Sequence, residues 1–599
     1  MTVLERIEAL RGEMRSRGIF AYIVCTEDYH GSEYVGDFFK LREYLTGFTG
    51  SAGTLVVTEN EAALWTDGRY YIQAAAQLKG SGIALMKQGT EGVPELSEFI
   101  AERLPEGGTI GFDGRTVSCG MVKKLLKKCS AKSPKLRTEE DLGGLVWKDR
   151  PALSREPVWE LDVKYAGLSR RDKLKKIRAE LDRAGADYLA VAALDETAWT
   201  LNLRGNDVAY NPVFLSYMII SAREVRLFAE ESIFSRETVQ RLSEDGVEIC
   251  GYNDVYSALS SLPSEKTLMA DPACVNWQFM QSVPEGMKRI DRRSPIAALK
   301  AVKNPAEQEA ERTAHIKDGA AVTRFIYWLK HNVGRTRITE LSAAEKLREF
   351  RKQQENFLGD SFEPIMGYGE HGAIVHYSAT PETDAELKPK GLLLSDTGGH
   401  YLEGTTDITR TIALGELTEE EKRGFTLVLA GQLELAAARF PAGTRGANLD
   451  YAAREPLWRY GLDFRHGTGH GVGFLMNVHE GPQRIHWRIP EGTVNSAVLE
   501  PGMITSDEPG LYVEGKFGIR HENLVLCREA EETEYGRFLC FETLTLVPFD
   551  VDAVDTAYLT DREIQLLNSY HERVYNTISP LLPKEEADWL REVTQPLTK

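Results

Sequence analysis

No apolar run in this 599-residue chain approaches the roughly 18 to 20 residues needed to cross a bilayer. The opening MTVLERIEALRGEMRSRG also lacks the uninterrupted apolar stretch of a secretory leader, so the expected location is the cytoplasm, with no membrane partner. Cysteine is scarce: Cys25, Cys119, Cys129, Cys250, Cys274, Cys527 and Cys540 are scattered, odd in number and never spaced as C-x-x-C. That argues for reduced thiols and against a disulfide or zinc framework. Positive charge is in deficit, with 72 Lys and Arg against 90 Asp and Glu and a net charge of −18. Phosphate binding needs a basic face, so no nucleic-acid partner is expected. The one basic cluster, KKLLKK from Lys123 to Lys128, has helical spacing and reads as a solvated face. H-E-x-x-H, G-x-S-x-G and Walker A motifs are absent, and GTGHGVG has the wrong glycine spacing for a dinucleotide loop. These absences argue against a cofactor-binding oxidoreductase.

At this length, with 42% hydrophobic residues, the chain needs more than one core and reads as three domains. A helical segment from Ile7 to Gly18 precedes the strand-like AYIVC, and LTGFTGSAGTLVV and AALWTDGRYYI add strand and turn signals. The phrase returns from about Leu174 as LKKIRAELDRAGADYLAVAAL, with Gly185 matching Gly18 at an offset of 167 residues. Two related α/β domains are expected, 1–153 and 154–303, joined through the Pro- and charge-rich WKDRPALSREP. The third domain, 304–599, opens with Asn304 as N-cap, Pro305 at the first helical position and Glu307 closing a capping box. Ala314, Ala321, Phe325 and Trp328 follow at helical spacings, and a helical tail begins near residue 550. The fold class is α/β (α+β).

Chemistry concentrates in that last domain. Asp396, Asp407, His470, Glu508 and Glu522 each sit in a short Gly-rich or Pro-rich frame. In LLLSDTGGHYLEGTTDITRTIAL, two β-prone runs joined through glycines read as a hairpin. A turn near 401 or 402 would bring Asp396 roughly opposite Asp407, close enough for a shared ion. Glu508 and Glu522 flank VEGKFG in a second hairpin centred on Gly515, and His470 lies among glycines that permit close backbone approach. Four carboxylates and one imidazole suit a pair of hard divalent ions, and Mn²⁺ is the expected metal. Two such ions can share a water and lower its pKa toward neutrality, which yields a hydroxide nucleophile without a Ser or Cys.

The order Asp, Asp, His, Glu, Glu in SDTGGHYLEGTTDITRT, HGTGHGVG, TSDEPG and GIRHEN resembles the dinuclear pita-bread metallopeptidases, in particular the long Xaa-Pro aminopeptidases. GAIVHYS, NPAEQEAERTAHIKDGAAVTRFIYWL, GFTGSAGT and WTDGRYYIQAA extend the likeness over nearly the whole chain. It implies two related N-terminal α/β domains before a C-terminal pita-bread domain. The implied activity is removal of the first residue of peptides with proline second, through a metal-bridging hydroxide. By the same resemblance Asp396 serves one metal, His470 and Glu508 the other, and Asp407 and Glu522 bridge both. Glu508 is the implied general base. His376 and His479 are the implied catalytic and substrate-binding histidines at the scissile amide, and His466 the lining of the following pocket. Arg520 and Tyr512 match positions near the metals and the proline pocket, although an ion pair with the acidic cluster is an equal reading of Arg520. The tail implies a homodimer. Leu511, where an aromatic is frequent, and the longer stretch GPQRIHWRIPEGTVNSAVLEPG depart from the family pattern. The rival readings are a prolidase confined to dipeptides, a methionine aminopeptidase, and a non-catalytic peptide-binding or chaperone module on the same scaffold.

Overall fold

The computed structural model describes residues 1–488 and 497–599, so the long stretch after His479 lies partly outside the described residues. The chain divides into two compact units, Met1–Val163 with Leu168–Ala297, and Lys164–Gly167 with Ala298–Lys599. All seven cysteines are free. Among the described residues no helix is long and apolar enough to cross a membrane.

The first unit is built twice from one pattern. Helix α1 (Val3–Ser16) leads into β1 (Ala21–Cys25), followed by β2 (Thr54–Thr58), β3 (Ala62–Thr66), β4 (Ala84–Lys87), β5 (Thr109–Gly111) and β6 (Lys135–Arg137). These form one sheet in the order β4-β3-β2-β1-β5-β6. Helix α2 (Arg170–Ala184) leads into β7 (Tyr188–Val191), then β8 (Tyr217–Ser221), β9 (Val225–Phe228), β10 (Val247–Cys250), β11 (Thr267–Ala270) and β12 (Lys288–Asp291). The second sheet has the same order, β10-β9-β8-β7-β11-β12, and the same pattern of parallel and antiparallel pairs. Gly18 and Gly185, at φ +64° and +67°, make the same left-handed turn out of the leading helix, which only glycine adopts at no steric cost. The two sheets also join reciprocally. Cys119 N–H bonds the Val275 carbonyl and Trp277 N–H the Val117 carbonyl, both at 2.9 Å. Gly120 N–H to Pro272 and Gln278 N–H to Gly114, at 2.8 and 2.9 Å, repeat the exchange. Equivalent segments thus bond to each other as in a two-fold dimer. The Lys123–Lys128 cluster is a salt-bridged face, with Lys123 on Asp291 at 2.5 Å and Lys128 on Glu98 at 2.8 Å.

The second unit opens at α3 (Pro305–Asn332), whose Asn304 cap accepts from Ala306 and Glu307 N–H while Glu307 reaches back to Asn304 N–H. Ala314, Ala321 and Phe325 are buried and Trp328 packs against the same core. The helix buries polar residues too. Glu311, His315 and Asp318 are each at most 1% exposed. Asp318 is held by Arg351, at 2.7 and 3.0 Å, from α4 (Glu340–Arg351), and also accepts from Tyr401 Oη at 2.9 Å and Thr406 Oγ1 at 2.6 Å. Arg351 also donates to Thr397 Oγ1 and the Gly398 carbonyl. One buried ion pair therefore clamps both strands of the first hairpin beside its acidic residues.

That hairpin pairs Leu392–Thr397 with Ile408–Ala413, and Ile365–Tyr368 lies on the other side of the first strand. Its register corrects the sequence expectation. The turn lies at Leu402 and Glu403, since Tyr401 pairs Gly404, and Asp396 stands opposite Thr409 rather than Asp407. The two-residue turn moves the centre by one position, so Asp407 becomes the diagonal neighbour of Asp396. A period of two keeps diagonal neighbours on one face and within reach. The second hairpin has the expected centre: Val513 pairs Phe517, Gly510 pairs Arg520 and Asp507 pairs Asn523, which sets Glu508 against Glu522 across Gly515. A second sheet runs in the order Arg439–Pro441, Gly536–Thr543, Asn523–Thr533, Ile504–Asp507, Gly469–Gly471, Glu480–Ile485. The tail forms two helices, α5 (Asp561–Ile578) and α6 (Lys584–Val593).

Burial would raise the Asp318 carboxyl, but the charge of Arg351 together with the hydrogen bonds from Arg351, Thr406 and Tyr401 outweighs it and holds the group below its ordinary value. A depressed folded pKa gives stability that is present above the unfolded pKa and lost as pH falls through the folded one. Asp318→Asn leaves the Arg351 charge buried without its partner, which costs on the order of 3 to 5 kcal/mol. The expected result is a lowered denaturant midpoint for the second unit at neutral pH, with the gap to wild type closing in acid.

Candidate metal centre

Strand geometry delivers the five expected side chains to one place. Asp396 is the last but one residue of the first hairpin strand, Asp407 precedes the second, His470 is the middle residue of Gly469–Gly471, and Glu508 and Glu522 flank the second hairpin. Donor atoms of Asp407, His470 and Glu522 lie within 4.8 Å of one another. His470 Nε2 is 3.5 Å from Asp407 Oδ2 and 3.4 Å from Glu508 Oε1. The glycines beside His470 are required by contact: a Cβ on Gly469 would stand 2.0 Å from the Ser506 carbonyl, and one on Gly471 2.1 Å from that of Glu480. Side chains there would push the imidazole strand out of the sheet.

Asp396, Asp407 and Glu522 are at most 7% exposed. Packing several carboxylates in a buried site disfavours their charged forms. Burial pushes Asp396 up to about 6, with Asp407 and Glu508 adding to the rise against the pull of Arg520. Burial and the same neighbours raise Glu522 well above the carboxylate range. His470 goes the opposite way from an ordinary buried histidine. Burial would depress it, but the hydrogen bond to Asp407 and the charge of Glu508 raise it to about 9. Divalent cations relieve such repulsion. Two buried acceptor atoms in the cluster, Asp396 Oδ1 and Glu522 Oε1, have no hydrogen-bond donor, which suits them to coordinate an ion. The donor set therefore fits two hard cations.

Surrounding groups orient the donors. His470 Nδ1 donates to the Gly471 carbonyl at 3.0 Å, which turns Nε2 toward the carboxylates. Ser506 Oγ accepts from His470 N–H at 2.9 Å and donates to Glu508 Oε1 at 3.1 Å. Thr409 Oγ1 donates to Glu522 Oε2 at 2.8 Å. Arg520, 2% exposed, grips Asp396 Oδ2 through Nη2 at 2.5 Å and Nε at 3.1 Å. Its Nη1 reaches Tyr512 Oη at 2.6 Å, and Tyr512 in turn bonds His466 Nε2 at 2.8 Å. Of the two readings of Arg520, the geometry displays the ion pair. His479 lies edge-on to His470 at 4.4 Å between ring centres and nearly parallel to His376 at 6.4 Å. All the candidate residues thus share one site.

Comparison with known proteins agrees with this geometry. The model for metallopeptidase family M24 matches residues 309–529, and that for the C-terminal region of peptidase_M24 matches 537–597. Creatinase/Prolidase N-terminal domain models match 6–150 and 149–307. Aminopeptidase P2 of Arabidopsis thaliana is 40% identical, over 97% of this chain and 86% of its own. A probable Xaa-Pro aminopeptidase P of Sordaria macrospora is 40% identical over 99% of both. The chain belongs to the aminopeptidase P group of metallopeptidase family M24. An X-prolyl aminopeptidase of Caenorhabditis elegans, described as a cytosolic enzyme with a di-nuclear active site, superimposes with TM-score 0.95 at 34% identity over the full length of both chains. Dipeptidase PepE of Mycobacterium ulcerans, at TM-score 0.51 and 22% identity over 64% of this chain, shares the fold.

Two orienting residues escaped the sequence reading although the pattern carried a signal for them. Ser506 and Thr409 each lie two positions from an acid of the cluster, Glu508 and Asp407, so strand alternation puts them on the same face. Nothing local marks Asp318, Arg351 or Glu311. Replacing Arg520 by lysine removes the planar fork from Asp396 and Tyr512. Metal affinity or turnover is expected to fall about 10- to 100-fold while the fold is kept, measured by divalent-ion titration alongside the far-UV spectrum.

Proposed function

We propose that this metal-dependent aminopeptidase hydrolyses the bond between the first residue and a following proline in peptides. The observation that carries the reading is the convergence of Asp396, Asp407, His470, Glu508 and Glu522 with His376 and His479 beside them. Relatives named for Xaa-Pro cleavage that align over nearly the whole chain support the same substrate class. When bound, two divalent ions, Mn²⁺ in this proposal, supply Lewis acidity and an activated water. Asp396 would hold one ion, His470 and Glu508 the other, and Asp407 and Glu522 both. Glu508, hydrogen-bonded to Ser506, takes the proton of the attacking water as general base. His376 and His479 bind the scissile amide and stabilise charge developing on its oxygen. His466 and Tyr512 line the pocket for the residue after the cut, and Arg520 acts on the peptide chiefly by fixing Asp396 and Tyr512. The α-amine of the substrate can pair with the acidic cluster, which favours an exopeptidase over an endopeptidase.

The same proposal places the enzyme in the cytoplasm, as for its Caenorhabditis elegans neighbour, and divides the chain near residues 153 and 303, in keeping with the matched ranges. It is a homodimer in this reading. Tyr451, Trp458, Tyr460 and Trp487, each 38% or more exposed in the second unit, provide aromatic surface of the kind that interfaces bury.

Stripping metal with a chelator, restoring Mn²⁺ and offering Ala-Pro, Ala-Pro-Ala and Met-Ala-Ala side by side tests the substrate. Alanine should be released from the tripeptide and little from the dipeptide. Preference for Ala-Pro would select a prolidase, release of Met a methionine aminopeptidase, and no turnover a binding module. Asp407→Ala should abolish turnover and lower Mn²⁺ binding; an enzyme of unchanged activity would remove Asp407 from the centre.

A further inference from the structure

His376 lies in a stretch, 374–391, without helix or strand, yet its ring must hold a defined position beside His479. Both its chain neighbours are tied down. On one side the Val375 carbonyl accepts from Arg520 Nη2 at 3.3 Å, linking it to the guanidinium that grips Asp396. On the other, Tyr377 Oη donates to Glu340 Oε2 at 2.8 Å.

Glu340 is the first residue of α4, where the helix dipole favours an anion, and its side chain is fully buried. Its carboxylate gathers the whole loop. Oε1 accepts from Tyr368 N–H and from His371 Nδ1, both at 2.8 Å. Oε2 accepts from Tyr377 Oη and, at 3.1 Å, from Ala385 N–H, while Glu340 N–H donates to the Ala385 carbonyl at 3.0 Å. The His371 ring stacks on Tyr377 at 4.5 Å between centres. Attraction to Glu340 raises the pKa of His371, in keeping with an ion pair that stiffens the bracket. Four donors from residues 368 to 385 thus meet one buried carboxylate, and His376 sits in the interval they enclose.

We infer that Glu340 is a positioning residue for peptide hydrolysis, holding His376 in register with the metal centre through Tyr377, His371 and the ends of the loop. This rests on the proposal that His376 touches the substrate. An ionised carboxylate is needed because all four partners donate. The amide of Glu340→Gln keeps the shape but turns an N–H₂ toward two of those donors.

The test is a double-mutant cycle of Glu340→Gln with His376→Ala in the full-length, Mn²⁺-loaded enzyme, with kcat and KM on Ala-Pro-Ala and bound metal measured for each. Glu340→Gln is expected to lower kcat by about 10- to 100-fold, to leave the metal content at the wild-type level, and to cost nothing more once His376 is gone. Tyr377→Phe, which removes one hydroxyl, should show a smaller loss with the same non-additivity and serves if Glu340→Gln does not fold. Wild-type kcat in both variants, a loss that adds in full to that of His376→Ala, or loss of bound metal would overturn the inference. A fully active His376→Ala would instead overturn the reading on which it rests.

Discussion

Carboxylates crowded into a buried site repel one another, and the catalytic unit is organised around that repulsion. Asp396, Asp407, Glu508 and Glu522 share a site with one imidazole that the cluster itself raises to about 9. Such an arrangement is stable only if cations or protons occupy it, so a site this acidic favours divalent ions. Metal binding and the integrity of the centre would be one equilibrium, because the five side chains come from two hairpins and a third strand that bound ions would tie together.

Around that core the unit uses buried ion pairs as struts. Asp318 and Arg351 clamp the turn side of the first hairpin, and Arg520 joins Asp396 to Tyr512 and His466. Lys300 and Lys303 close on Glu480, next to His479, at 2.7 and 3.0 Å. Replacing such pairs with apolar residues often leaves stability unharmed or improves it, so stability alone does not account for them. Each of these three fixes a backbone segment next to one of the converging acids or histidines, and hydrogen bonds with two-sided geometry fix orientation as apolar contacts do not. The tail makes a fourth connection: Tyr570 on α5 bonds Arg410 Nη2 at 2.9 Å, and Arg410 Nη1 holds the Glu522 carbonyl at 2.7 Å.

The first unit shows a different economy. Its two sheets repeat one topology and exchange equivalent backbone hydrogen bonds, so the same stretch of each copy serves as both donor and acceptor at the joint. A duplicated segment can satisfy itself in this way because an isologous surface is self-complementary. Ser118 and Asn276, each the N-cap of its helix, face each other there.

The sequence by itself determined what depends on local periodicity and turn chemistry. The repeat was legible because Gly18 and Gly185 mark the same left-handed exit from a helix, and the start of α3 because its capping box is a contiguous pattern. The grouping of four acids with one imidazole was legible too, since glycines and strand alternation fix which residues share a face, and the second hairpin has the centre that its symmetry about Gly515 implies. Only the tertiary structure decided the register of the first hairpin, where one position in the turn separates an opposite pair from a diagonal one. It alone decided that Arg520 is spent on Asp396, and that Glu340, 36 residues before His376, holds the His376 loop. Contacts between residues far apart in sequence leave no periodic trace. A buried charge looks like any surface charge until the chain that covers it has folded.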